Sequence, residues 1–152
     1  MREQCSVYSI EWLDERRTVL GMHVRGTLDW ETYNQATAEL HAVMTTVCQT
    51  VHVIYLVSVP CGERVFPMTG ALEHFTRTME TQAKNHGHQI FVGAPMLMKM
   101  TVQMVMLKNQ YFAKNEVYFM DSLSQAVRML QRRQARQACH LASVPARSAR
   151  MQ

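Results

Sequence analysis

No stretch of this chain approaches the roughly 18 uninterrupted apolar residues of a membrane span. The N-terminus, MREQCSVYSIEWLDERR, has no apolar core of the kind a signal peptide needs. Together these absences make the cytoplasm the expected location. There is no C-x-x-C pair either. Cys5, Cys48, Cys61 and Cys139 are spaced for neither zinc nor disulfide exchange, and read as reduced, mostly buried thiols. G-x-G-x-x-G and G-x-x-x-x-G-K-[ST] are both missing, which removes the dinucleotide fingerprint and the P-loop. Aromatic residues stop at Phe119, so the C-terminal region has no platform for stacking bases. No nucleic-acid motif is present, and nucleic acid is not an expected partner.

What is present fits one folded domain. The chain has 152 residues, enough for a single sizeable core, and 47% apolar against 18% charged residues excludes a disordered composition. The charge is uneven. Residues 1–121 hold ten cations and twelve acids, a net −2, whereas residues 122–152 hold six arginines and no acid, a net +6. The basic character therefore belongs to the C-terminal end. We expect a domain over 1–136 and a basic, flexible tail over 137–152, where Ala, Ser, Arg and Pro replace large apolar groups.

Periodicity orders the elements. SVYSIEWL alternates, DERR turns, and TVLGMHVRG follows, which predicts a hairpin with Gly21 at a bulge or a close approach. Asp29 is a favoured N-cap, and Trp30, Tyr33, Thr37, Leu40, Met44 and Val47 form one helical stripe over about 29–46. VHVIYLVSV (51–59) is a continuous β-branched run, as in a strand covered on both faces. Leu72, Phe75, Met79 and Ala83 predict a second helix, ending near NHGH with Gly87 at C′. QIFVG (89–93) is a strand, residues 96–111 a third helix behind Pro95, and EVYFM (116–120) a strand. Ser122 and Gln125 make a capping box for a fourth helix. The order is β-β-α-β-α-β-α-β-α: an α/β fold with a mostly parallel sheet and an N-terminal antiparallel hairpin.

The connection CGERVFPMTG (61–70) carries the residues most suggestive of chemistry. Cys61 has only Arg64 as a cationic neighbour in sequence, which is too little to lower a thiol pKa. Cys61 to Phe66 read as a strand-to-helix connection. Thr69 and Gly70 differ: they stand at a helix start, beyond the carboxyl end of a buried strand, where ligands meet open α/β sheets. Thr69 reads as the N-cap, a position that also tolerates a phosphate. His86 and His88 read as a solvated helix end and not as a metal site, and no metal or other cofactor is expected. Asp14, Glu15, Glu63 and Asp121 fall at turns, with no histidine placed to form an acid–base pair.

Two side-chain sets remain. Met96, Met98, Met100, Met104 and Met106 crowd one helix and occupy more than one of its faces. They read mainly as packing, with Met98 and Met106 as the pair that would make a partner or dimer surface if exposed. Arg128, Arg132, Arg133 and Arg136 lie along one helix face and read as solvated.

The whole arrangement resembles a STAS-type domain, the fold of bacterial anti-sigma-factor antagonists and of sulfate-transporter tails, and most of all the divergent SpoIIAA-like proteins. Three stretches carry the resemblance: GTLDWETYNQATAELHAVM, VHVIYLVSV with the helix start at Thr69-Gly70, and QIFVGAPMLMKMTVQMV with EVYFMDSLSQAVRML. Together they span about residues 6–133. The resemblance implies a non-catalytic interaction or regulatory module in signalling, with a protein partner or a second copy of itself. In the family a Ser or Thr in a D-S-x-G-like turn after the third strand is phosphorylated by a partner kinase. Thr69, followed by Gly70, matches by position, while Met68 stands where the acid would be, so the implied switch is degenerate. The alternative implied by the resemblance is a small apolar-ligand or lipid-binding protein.

Overall fold

A computed structural model describes residues 6–60, 62–108 and 117–143. Strands β1 (Tyr8–Trp12) and β2 (Val19–Val24) form the antiparallel hairpin, in register from Tyr8↔Val24 to Trp12↔Leu20. Its turn is closed by Asp14, whose Oδ1 accepts the Thr18 and Val19 amides at 2.9 Å each. Gly21 pairs with Glu11 without a bulge. It is a close approach instead, since a Cβ there would lie 2.9 Å from the Leu13 side chain. Strands β3 (Val51–Val57), β4 (His86–Val92) and β5 (Val117–Met120) then add in parallel, and the sheet runs β1-β2-β3-β4-β5. Helices α1 (Trp30–Met44), α2 (Ala71–Glu80), α3 (Met96–Lys108) and α4 (Leu123–Ser143) complete the expected order.

Strands that follow one another in sheet order, joined by right-handed crossovers, put every intervening helix on the same face. The packing agrees. One core joins Leu20, Met22, Val53 and Phe91 of the sheet to Leu40 of α1, Phe75 of α2 and Val102 of α3. The opposite core is smaller: Val19, Ile54, Ile90 and Val92 meet Ala126 and Leu130 of α4. β3 is therefore apolar on both sides, as its sequence predicts.

Caps fix the helix starts. The Asp29 carboxylate accepts the Thr32 amide at 2.7 Å, which also holds its pKa below the usual carboxylate value. At α4 the Ser122 hydroxyl accepts the Gln125 amide at 3.3 Å, and the Gln125 side chain reaches back to the Asp121 amide. Asn85 ties the far ends together. Its amide nitrogen lies 2.9–3.2 Å from the carbonyls of Met44, Val47 and Gln49, satisfying groups that the end of α1 leaves open.

Several expectations are corrected. α2 stops at Glu80, with Thr81 as its C-cap, so Gly87 is no helix terminator. His86, Gly87 and His88 are the first residues of β4, where the two histidines are half-buried. Gly87 is small for steric reasons: a Cβ there would lie 2.5 Å from Nδ1 of His52. Cys48 and Cys139 are exposed, not buried, while Cys5 and Cys61 lie outside the described residues. α4 continues to Ser143, past residue 137, where the composition predicts fraying; residues 144–152 lie outside the described set. The predicted end of α3, residues 109–111, also lies outside it. No helix among the described residues is long and apolar enough to cross a membrane.

A polar stack anchors α4 to the sheet. His52 and His88, neighbours across β3 and β4, lie with rings parallel and centroids 4.9 Å apart. Nδ1 of His52 accepts the His88 amide at 2.9 Å. Arg133 of α4 sits over the Tyr118 ring, donates to the Tyr118 hydroxyl, and places a guanidinium nitrogen 3.3 Å from Nε2 of His88. A guanidinium can only donate, so that His88 nitrogen is the acceptor. Burial, with His88, His86 and Arg133 nearby and only Asp14 opposing, holds the His52 pKa down to about 4.

Two predictions follow from this packing. Gly93 joins β4 to α3 at φ 74, and a Cβ there would lie 2.8 Å from the Val57 carbonyl oxygen. Gly93→Ala should cost about 1–3 kcal/mol in a urea melt, because the left-handed backbone and a rigid backbone contact both oppose it. The second concerns pH. Folding favours neutral His52, so its stabilisation is complete above the ordinary histidine value of 6.5 and declines as pH falls toward 4. The urea midpoint should drop between pH 7 and 5. His52→Asn, which keeps an acceptor for the His88 amide, should flatten that drop.

Candidate functional site

The carboxyl ends of β2, β3 and β4 feed the starts of α1, α2 and α3, so Asp29, Thr69 and Met96 share one edge of the sheet. The connection after β3 is long, yet half of it is structural. Val65 and Phe66 are buried in the main core. The Leu28 amide donates to the Val65 carbonyl at 2.7 Å, and the Thr27 hydroxyl donates to the Arg64 carbonyl. Residues 62–66 are thus pinned to the β2–α1 connection, whereas Pro67, Met68 and Thr69 are exposed.

Thr69 is not the N-cap. Gly70 takes that place at φ 82, a left-handed backbone suited to glycine, and no side chain caps α2. What holds the turn is Trp30. Its indole N–H donates to the Thr69 carbonyl at 2.7 Å, and its ring stacks on His74 with centroids 4.3 Å apart and planes 7° apart. Phe66, Tyr33 and Phe75 pack edge-on or tilted around the same indole. The Thr69 hydroxyl has no hydrogen-bond partner among the described residues and faces solvent beside the positive end of α2.

The methionines divide differently from the expectation. Met98 is buried at 8% exposure and packs in the main core, and Met106 is only half-buried against it. Neither forms an outer surface. The exposed apolar groups are Leu97, Met100, Met104 and Leu107, at spacings of three and four, with Met96 beside them. At its start this row meets the β3–α2 connection, because Met68, Glu63 and Arg64 line one small cleft with Pro95 and Leu97. Met68, the residue before Thr69, and the start of the apolar row thus share one cleft.

On the opposite side of the sheet, Arg128, Arg132, Arg133 and Arg136 line a shallow concavity with Met120 and Met129. Arg133 is there engaged with Tyr118 and His88, and is not part of a wholly solvated face. Among the described residues no group of three or more His, Cys, Asp or Glu is placed to hold a metal ion.

Two solved structures superimpose on this architecture. One is a crystal structure of an uncharacterized protein of the DUF3478 family from Shewanella loihica PV-4, described as having a SpoIIAA-like fold. Its TM-score is 0.53 at 15% identity, over 81% of this chain and 93% of that one. The other is the anti-sigma factor antagonist SpoIIAA in its unphosphorylated form, with TM-score 0.50 at 17% identity, over 82% of this chain and 97% of that one. The fold is SpoIIAA-like. No protein-family model and no curated protein matches the chain. The SpoIIAA-like likeness thus lies in the arrangement of elements, as the sequence resemblance implied, and not in a diagnostic motif.

The Trp30 tie was not visible in the sequence, where Trp30 reads as the first residue of the α1 stripe. Trp30→Phe keeps most of the ring packing and removes the donor to Thr69. Amide exchange at 68–72 should accelerate in that variant by about two- to tenfold, with little change elsewhere, as loss of one hydrogen bond implies.

Proposed function

We propose that this chain is a non-catalytic interaction module that binds a protein partner through the α2 start and the outer side of α3. The observation that carries this reading is the exposed row on α3. Leu97, Met100, Met104 and Leu107 are 42%, 52%, 55% and 81% exposed, in line on one helix. Single exposed apolar residues are ordinary, but a row of them continuous with Met68 is a surface that gains by being covered. Unbranched methionine suits such a contact, since it adapts to its partner at little strain.

SpoIIAA, an anti-sigma factor antagonist solved in an unphosphorylated form, has the same fold, which supports a regulatory contact at this edge. Thr69 is exposed and directly follows Met68, which shares a cleft with Leu97 at the start of the apolar row. A phosphate there would gain from the α2 dipole and would bring close to two negative charges to the apolar contact. The switch, where it operates, works by making the surface costly to dehydrate. Met68 in place of an acid leaves the unmodified surface apolar.

The test compares wild type, Met100→Asp with Met104→Asp, and Thr69→Glu in cross-linked affinity capture and in sedimentation. Wild type should recover a partner, or a second copy of itself, that the double variant loses by at least about tenfold, with a smaller loss for Thr69→Glu. Equal recovery by wild type and the double variant would remove α3 from the reading, and equal recovery by Thr69→Glu would remove the switch.

A second reading, a small apolar-ligand binder, is favoured by a separate feature. An internal cavity of about 60 Å³ between α1, α2 and the sheet adjoins an outer groove of about 430 Å³.

A further inference from the structure

The inner cavity is walled by apolar groups from every element on its side of the sheet, among them Leu28, Phe66, Phe75, Phe91 and Val102. Six polar side chains break that wall; Tyr33, Thr37, Thr78 and Gln82 are engaged elsewhere, and two differ from them. Gln89, in the middle of β4, is 5% exposed, and its carboxamide has no hydrogen-bond partner among the described residues. Tyr55, on the neighbouring strand, stacks on Phe91 and is likewise without a hydrogen-bond partner among them; burial, with Tyr33 nearby, raises its pKa. Their surroundings differ from those of Tyr33, whose hydroxyl donates to Thr78 at 2.9 Å. Neither group is sealed off: among the described residues the fully enclosed side-chain polar atom without a partner is Nδ1 of His74, so the Gln89 amide and the half-buried Tyr55 phenol are open to the cavity. Placing both on one cavity is the arrangement expected of groups held ready for something that enters it.

The outer groove continues this space. Thr37, Tyr55, Thr78 and Gln82 line both, so Tyr55 stands where the two meet. The outer walls carry His41, Arg77 and His86 and no carboxylate. The inner walls carry no ionisable group except the two tyrosines, which burial keeps neutral. Charge complementarity therefore has a direction: negative at the mouth, uncharged but hydrogen-bonding at the inner end.

We infer that the α1–α2 groove takes an elongated amphipathic small molecule, with an anionic group at Arg77 and an uncharged hydrogen-bonding group at Gln89 and Tyr55. This rests on the ligand-binding reading above and names its chemistry. Gln89 is then the residue that distinguishes a chain ending in a polar group from one ending in a methyl.

The experiment titrates the whole protein with two probes, decanoate and ω-hydroxydecanoate, by calorimetry below their aggregation concentrations. The hydroxylated acid should bind roughly two- to tenfold more tightly, the ratio one hydrogen bond supplies. Gln89→Met, which keeps the side-chain length, should abolish that ratio while leaving decanoate binding intact, and Arg77→Gln should weaken both acids alike. Binding of both acids with no preference would overturn the inference and leave the ligand reading standing; binding of neither would overturn both. A readout without ligand accompanies it. Gln89→Met should raise the melting temperature by about 2–4 °C, because it puts an apolar side chain in place of an amide facing a mostly apolar cavity. A lower melting temperature would mean that buried water already satisfies the amide, and would overturn the inference even if the acids bind.

Discussion

Three crossovers of one hand place α1, α2 and α3 on the same face of a five-stranded sheet, and most of the molecule answers to that crowding. The three helices begin along one edge, so their starts compete for the same region of surface. α1 and α2 come close enough for Trp30 to reach the Thr69 carbonyl and stack on His74. α2 and α3 enclose the apolar residues of the long β3–α2 connection. What the crowding leaves outside is the far side of α3, and that side is apolar.

The other face of the sheet has α4 alone. Its apolar contribution is modest, with Ala126 and Leu130 as the buried residues, so the attachment leans on polar contacts. Arg133 supplies them through Tyr118 and His88, and His52 stacks beneath. This makes one face of the protein a wide apolar core and the other a narrow one stitched by rings and a guanidinium. Acid reaches the second face through His52, whose pKa burial holds down, while His86, likewise lowered by burial, lines the α1–α2 groove on the first.

The order of elements was legible in the sequence because each type writes its own period. β3 is β-branched throughout, α1 is striped, and Asp29 and Ser122 mark two helix starts that the structure keeps. The errors share a cause. NHGH looks like a helix end because glycine and asparagine end helices, yet here Gly87 makes room for a ring on the next strand. Thr69 looks like a cap because threonine caps helices, yet the chain turns at Gly70 and a tryptophan from another helix fixes it. Met98 and Met106 could not be told from Met100 and Met104 by pattern, since α3 is apolar nearly all round and only its neighbours decide which side is covered. Gln89 gave no signal at all: a single amide within an apolar strand acquires meaning only from the space in front of it.

Gly87 and His52 carry one more consequence. Their strands are adjacent, and the imidazole occupies the volume that any side chain at position 87 would need; the Thr50 methyl, 2.9 Å from the same point, closes the remaining space. Position 87 can therefore not be altered by itself. A larger residue at 87 becomes admissible only after the ring at 52 is gone, and once 87 has grown the ring cannot return. Substitution at this pair has an order built into it, and lineages descended from this chain would pass through the step at 52 first.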